Sequence, residues 1–162
     1  MLGVVHFYDV AVFVHVAAVV VGLGITFSYP IFLRRAAGSE PRSMPYLLRT
    51  IDTIGRAVIG PSALLILISG LYLIGDGPFD FGDAFVGVGL AIIIVLILVG
   101  PLFFGRKGRE LERIVSRDIG AAGTGPVEFS PEFDSVLGQI INVGYLTELL
   151  VLIALFFMIV KP

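Results

Sequence analysis

Four stretches of this chain, residues 10–33, 57–75, 85–104 and 137–160, run almost uninterrupted through apolar side chains. A membrane-crossing helix needs about 20 such residues, and inside lipid a helix is the only open-ended structure that satisfies its own backbone groups. The fold class this dictates is all-α, with residues 1–162 forming one polytopic four-helix transmembrane bundle. Composition supports the same reading: 57% of the residues are hydrophobic and 15% charged, with a mean hydropathy of +1.00, too apolar for a water-soluble domain of this length. The lipid bilayer is thus the first partner, and no nucleic-acid contact is expected. The chain has no cysteine, which excludes disulfides and thiolate-held metals. The opening residues MLGVVHFYD place no basic residue before the first run, and that run is too long for the core of a cleaved signal, so the first span is expected to remain.

Charge is segregated along the chain. Arg34, Arg35, Arg42, Arg49 and Arg56 lie between the first two spans, and Arg106, Lys107, Arg109, Arg113 and Arg117 follow the third; together they are ten of the eleven basic residues. The turn between the second and third spans holds Asp76, Asp80 and Asp83 and no Lys or Arg. The positive-inside rule then puts both basic segments in the cytoplasm and both termini outside, in a multi-pass protein of the cell (inner) membrane.

The basic segments read as helical extensions, over about 44–56 and 105–118. In the first, Leu47, Leu48, Ile51 and Ile54 share one face and Arg49, Asp52 and Arg56 the other. The second ends at the glycine-rich AAGTGP. Both are expected to form a solvated, phospholipid-facing collar. Pro30, Pro61 and Pro101 each sit four or five residues from an inner arginine, hence about 6 to 8 Å below the inner charges. These are first of all prolines of the kind membrane helices routinely tolerate, and the alternative is that kinks at that one level open a cytoplasmic vestibule.

Polar side chains inside the spans are few, and lipid does not tolerate idle ones. On the first span His15, Ala18, Gly22, Thr26 and Tyr29 recur at steps of three and four, a small-and-polar stripe that faces protein. On the fourth, Gly144, Tyr145 and Glu148 share a face, and Glu148 is the only carboxylate well inside any span. Counting rise places Glu148 about 18 Å from the outer boundary, level with Gly22 and with Ser62 or Ala63 on the second span. His15 is about 9 Å deep, level with Ser69, so the two ionisable groups are offset by about 9 Å. Glu148 is either a proton-carrying or cation-binding group or a protonated acid hydrogen-bonded to its neighbours. His15 is a haem or metal ligand, a proton relay, or a histidine satisfied by Ser69 or a backbone carbonyl. His6 cannot join it on one haem, since nine residues put the two on opposite faces, about 13 Å apart. The intramembrane polar set is therefore His15, Ser62, Ser69, Tyr29, Tyr145 and Glu148.

The histidine at the start of the first span, the segment GPSALLILISGL, the acidic turn FDFGD, the Gly-Pro before a basic helix end and the closing FFMIVKP together resemble a family of small bacterial integral membrane proteins of unknown function. That family looks related to the membrane domain of copper-resistance proteins and to the membrane-bound, haem-containing protoporphyrinogen oxidase. The oxidase set begins with a first-helix histidine and a proline fifteen residues on, and His15 and Pro30 match that spacing. Ile31 stands where the oxidases have arginine, and the third span has no lysine, so the cations that an anionic tetrapyrrole substrate would want are missing. What the resemblance implies is haem b binding through His15 rather than oxidase activity. Two histidines, three methionines and no cysteine make a poor copper set.

The expectation is a cofactor- or ligand-binding accessory protein with an intramembrane His/Glu site. Its rivals are a b-type haem redox enzyme and a small proton- or copper-linked transporter, and a homo-oligomer or membrane partner protein belongs to the first reading. Whether it is an enzyme is left open by the residues. The orientation has a direct test: a reporter fused after Pro162 should behave as periplasmic, and a cysteine placed at Ser39 should be shielded from an impermeant label applied outside. The reverse labelling pattern overturns it.

Overall fold

The computed structural model describes residues 6–161. The first five residues and the closing Pro162 lie outside the described residues. Four long helices, Phe7–Ser39, Pro41–Asp76, Ala84–Ala122 and Pro131–Val160, are each long and apolar enough to cross a membrane, and there is no strand among the described residues. The protein is a multi-pass, all-α membrane protein. The first helix packs along the second, the second against the third and the third against the fourth, while the fourth returns to touch the first at Ile25–Ser28. Phe7 meets Tyr72, and Lys161 reaches Phe79 and Phe85. Neighbouring helices are therefore antiparallel, with both ends of the chain at the acidic end.

Helix boundaries follow local chemistry. The first helix stops where Glu40 takes an extended φ of −140° before Pro41, and proline then starts the second helix at a position where its missing N–H costs nothing. The third ends at Gly123, whose φ of +56° suits glycine. The fourth starts at Pro131 rather than at 137, with Ser130 before it and Glu132 and Asp134 in its first turn, where the helix dipole favours negative charge. Those six polar-leaning residues fall outside any hydrophobic window.

The prolines coincide with departures from α geometry. A π-turn at Val19–Leu23 and a 3₁₀ turn at Ile25–Ser28 precede Pro30, a π-turn at Gly55–Ile59 precedes Pro61, and a π-turn at Gly100–Phe104 contains Pro101. Each proline lacks the N–H for the carbonyl four residues back and would collide with it, and a widened or tightened turn relieves both.

No vestibule follows from these kinks. Leu33, Met44, Leu48, Leu111, Ile114, Val115, Phe133, Val136, Leu137 and Ile141, drawn from all four helices, form one buried cluster across the basic end. Met44, Leu111 and Val115 are fully buried and Phe133 is 1% exposed. The expected lipid-facing collar is thus a packed core of the water-soluble kind. It closes because the early start of the fourth helix brings Phe133 and Val136 into it.

Polar groups lock this core from outside. Asp118, buried at the end of the third helix, accepts hydrogen bonds from the Ser130 N–H (2.9 Å), the Ser130 hydroxyl (2.8 Å) and Arg117 Nε (2.9 Å). Arg117 also pairs with Glu132 at 2.9 Å. Across the same end, Arg42 donates to the carbonyls of Gly123 (2.7 Å) and Gly125 (2.8 Å), tying the start of the second helix to the loop after the third.

The Ser130 N–H above all, then its hydroxyl and Arg117, hold the Asp118 carboxyl below its ordinary value of 3.8 against the opposing effect of burial. A depressed carboxyl stabilises the fold above its unfolded pKa, and that contribution disappears as pH falls through the folded value. Thermal unfolding in detergent should therefore show Asp118→Asn less stable than wild type by about 1–3 kcal/mol at pH 7, with the gap closing below about pH 4. A gap that is absent at pH 7, or that persists unchanged into acid, contradicts this role.

Candidate functional site

The first and second helices bring His15 and Ser69 together, with His15 Nδ1 3.0 Å from Ser69 Oγ. Ser69 Oγ in turn donates to the Leu65 carbonyl one turn back, with the Ile66 carbonyl at 3.4 Å. A serine hydroxyl has a single proton. With that proton committed to the backbone, Ser69 accepts from the histidine, so Nδ1 carries the imidazole hydrogen and Nε2 carries the lone pair. The imidazole also lies within reach of the Ile66 carbonyl, to which Ser69 is adjacent. Gly70 makes the arrangement fit, because a Cβ there would come within 3.3 Å of the imidazole Cε1.

Further down the same stripe Gly22 meets Ser62. A methyl on Gly22 would overlap the Ser62 side chain, so the two backbones approach as closely as small residues permit. Ser62 is buried in that contact, and Ala18, Ala63, Ile66 and Ile93 form the small apolar core beside it. The stripe on the first helix is therefore a packing seam with one imidazole at its acidic end.

Glu148 is buried on the fourth helix and has no hydrogen-bond partner among the described residues. The fourth helix is placed by Met158, whose terminal methyl occupies the space beside Gly89 on the third. Counting ten residues inward from that contact puts Glu148 level with about Val99, and the fourth helix touches the first at Ile25–Ser28.

Tyr29 is half-buried and its hydroxyl is buried without a hydrogen-bond partner in the structure. Tyr145 turns outward, 45% exposed, with the Arg34 guanidinium 5.8 Å from its ring centre. No three His, Asp or Glu side chains converge in a metal-holding group among the described residues. Sequence reasoning named His15 with Ser69, and it set Gly22 and Ser62 or Ala63 at one level as the surroundings of Glu148, where the structure instead seats Gly22 on Ser62. It passed over Gly70, for which adjacency to Ser69 was the available signal, and Arg34, which looked like one more inner-loop cation.

These elements define a class: a four-helix membrane bundle with a single oriented imidazole near its acidic end and a lone carboxyl buried deeper. No protein-family model, curated protein or solved structure matches the chain.

The Glu148 side chain packs against its neighbours with no hydrogen-bond partner among the described residues, though its carboxyl oxygens are not fully enclosed, and an acid so placed in lipid burdens the fold. Glu148→Gln is expected to stay within about 0.5 kcal/mol of wild type in detergent, and Glu148→Leu to match or exceed wild-type thermal stability. A clear loss of stability in the leucine variant would show that the acid has a structural partner.

Proposed function

We propose that this is an accessory protein of the inner membrane, with its basic end in the cytoplasm and both termini outside, that holds a cofactor through His15 without turning over a substrate of its own. The observation that carries the reading is the contact of His15 Nδ1 with Ser69 Oγ at 3.0 Å, with Ser69 itself bonded to the backbone of its own helix. Ligating histidines are held this way: the far ring nitrogen donates to an oxygen, which orients the ring and makes the near nitrogen a better ligand.

The residues fit haem b in part. Gly70 leaves the ring its space, and Val12 and Leu65, a turn away on the two helices, are exposed and apolar. Contact between Gly22 and Ser62 closes the seam below, so a macrocycle would sit on the outward side of the imidazole, against lipid, a second copy or a membrane partner. Haem bound there would supply one-electron chemistry, while this chain's part would be to hold it through the His15 imidazole, oriented by Ser69. A second reading, a proton-linked transporter, is favoured by Glu148 alone.

The absorption spectrum of protein purified from haem-replete cells tests this directly. A Soret band is expected in wild type and in His6→Ala and should be lost in His15→Ala. Ser69→Ala should keep the fold yet bind haem about 10- to 100-fold more weakly, the usual effect of removing an outer-shell partner. Wild type without a Soret band, or His15→Ala with a full one, overturns the haem reading.

A further inference from the structure

We propose that the groove between the first and fourth helices at the basic end binds the phosphate headgroup of an anionic phospholipid. The groove has a volume of about 420 Å³ and is lined by Arg34, Arg35, Ser39, Pro30, Ile31 and Tyr145. It is separate from His15, which lies nineteen residues up the first helix from Arg34, about 28 Å away along the axis.

The charge in this groove is unbalanced. Arg49, Arg56, Lys107 and Arg117 each have a carboxylate within ion-pair distance. Arg34, Arg35, Arg42, Arg106, Arg109 and Arg113 have none among the described residues, and of these Arg34 and Arg35 line the same depression. Two guanidiniums lining one depression offer donors to the oxygens of a phosphate diester, and the Ser39 hydroxyl adds a donor at the rim. Tyr145 fixes one wall by holding the Arg34 guanidinium over its ring across the gap between helices. Basic pockets between membrane helices at this boundary are where acidic headgroups bind.

Apolar surface continues from the arginines toward the acidic end. Ile31 on the first helix is 65% exposed, and Leu146 and Leu149, next to Tyr145 on the fourth, are 57% and 53% exposed. Acyl chains attached to a phosphate at Arg34 would lie along this track. Free phosphate would gain nothing from it, which is why a lipid is assigned.

The test is native mass spectrometry of the full chain in detergent, titrated separately with phosphatidylglycerol, phosphatidylcholine and inorganic phosphate. Wild type should retain phosphatidylglycerol well above phosphatidylcholine. Replacing both arginines, Arg34→Gln with Arg35→Gln, should lower that affinity about 30-fold. Ser39→Asp, which leaves the arginines in place and sets a carboxylate at the rim, should lower it comparably and guards against a folding defect in the first variant. Removing equal charge elsewhere at the basic end, Arg106→Gln with Arg109→Gln, should leave it unchanged. Equal retention of the two lipids overturns the proposal, as does an equal loss in both arginine pairs. Inorganic phosphate held as tightly as the lipid would make the groove a soluble-anion site and overturn the lipid assignment.

Discussion

Apolar surface gains little by leaving lipid for another helix, so the hydrophobic effect acts on this chain mainly where it meets water. The structure places its most complete burial there. Ten side chains from four helices close over one another at the basic end, and Asp118, Arg117 and Arg42 pin the loops around them. Inside the bilayer the helices meet differently, through Gly22 on Ser62, Gly70 on His15 and Gly89 on Met158, contacts that depend on missing side chains rather than on apolar area. The basic-end core sets which helices are neighbours, and the small-residue contacts set how near they come.

Hydropathy made the spans legible, because lipid imposes a length and a composition that few other environments demand. Periodicity made the extensions legible as helices, and Leu48 is buried on the face where spacing put it. What escaped was their destination. An amphipathic helix beside a membrane reads the same whether its apolar face meets lipid or another helix. The deciding residues, Phe133 and Val136, sit in a stretch that starts with Ser130, Pro131 and Glu132 and that no hydropathy window would include.

The site was legible where depth alone decides it. Equal rise from equal boundaries paired His15 with Ser69 and set Gly22 level with Ser62 or Ala63, since the first two helices lie side by side. Glu148 was harder. Its helix packs mainly on the third, whose apolar span carries no polar side chain to mark a level. Direction around the helix was lost as well, for Tyr145 and Glu148, three residues apart, differ between exposed and buried.

The widened turns at Val19–Leu23, Gly55–Ile59 and Gly100–Phe104 have a consequence for how these helices transmit rotation. Each widens one turn of the spiral, so the half in lipid presents its side chains at an angle offset from the one the basic-end half would project along an unbroken α-helix. Three helices carry such a joint, and the fourth, α-helical from Pro131 to Val160, has none. It is the one rod through which a twist imposed at the acidic end would arrive undiminished at Phe133.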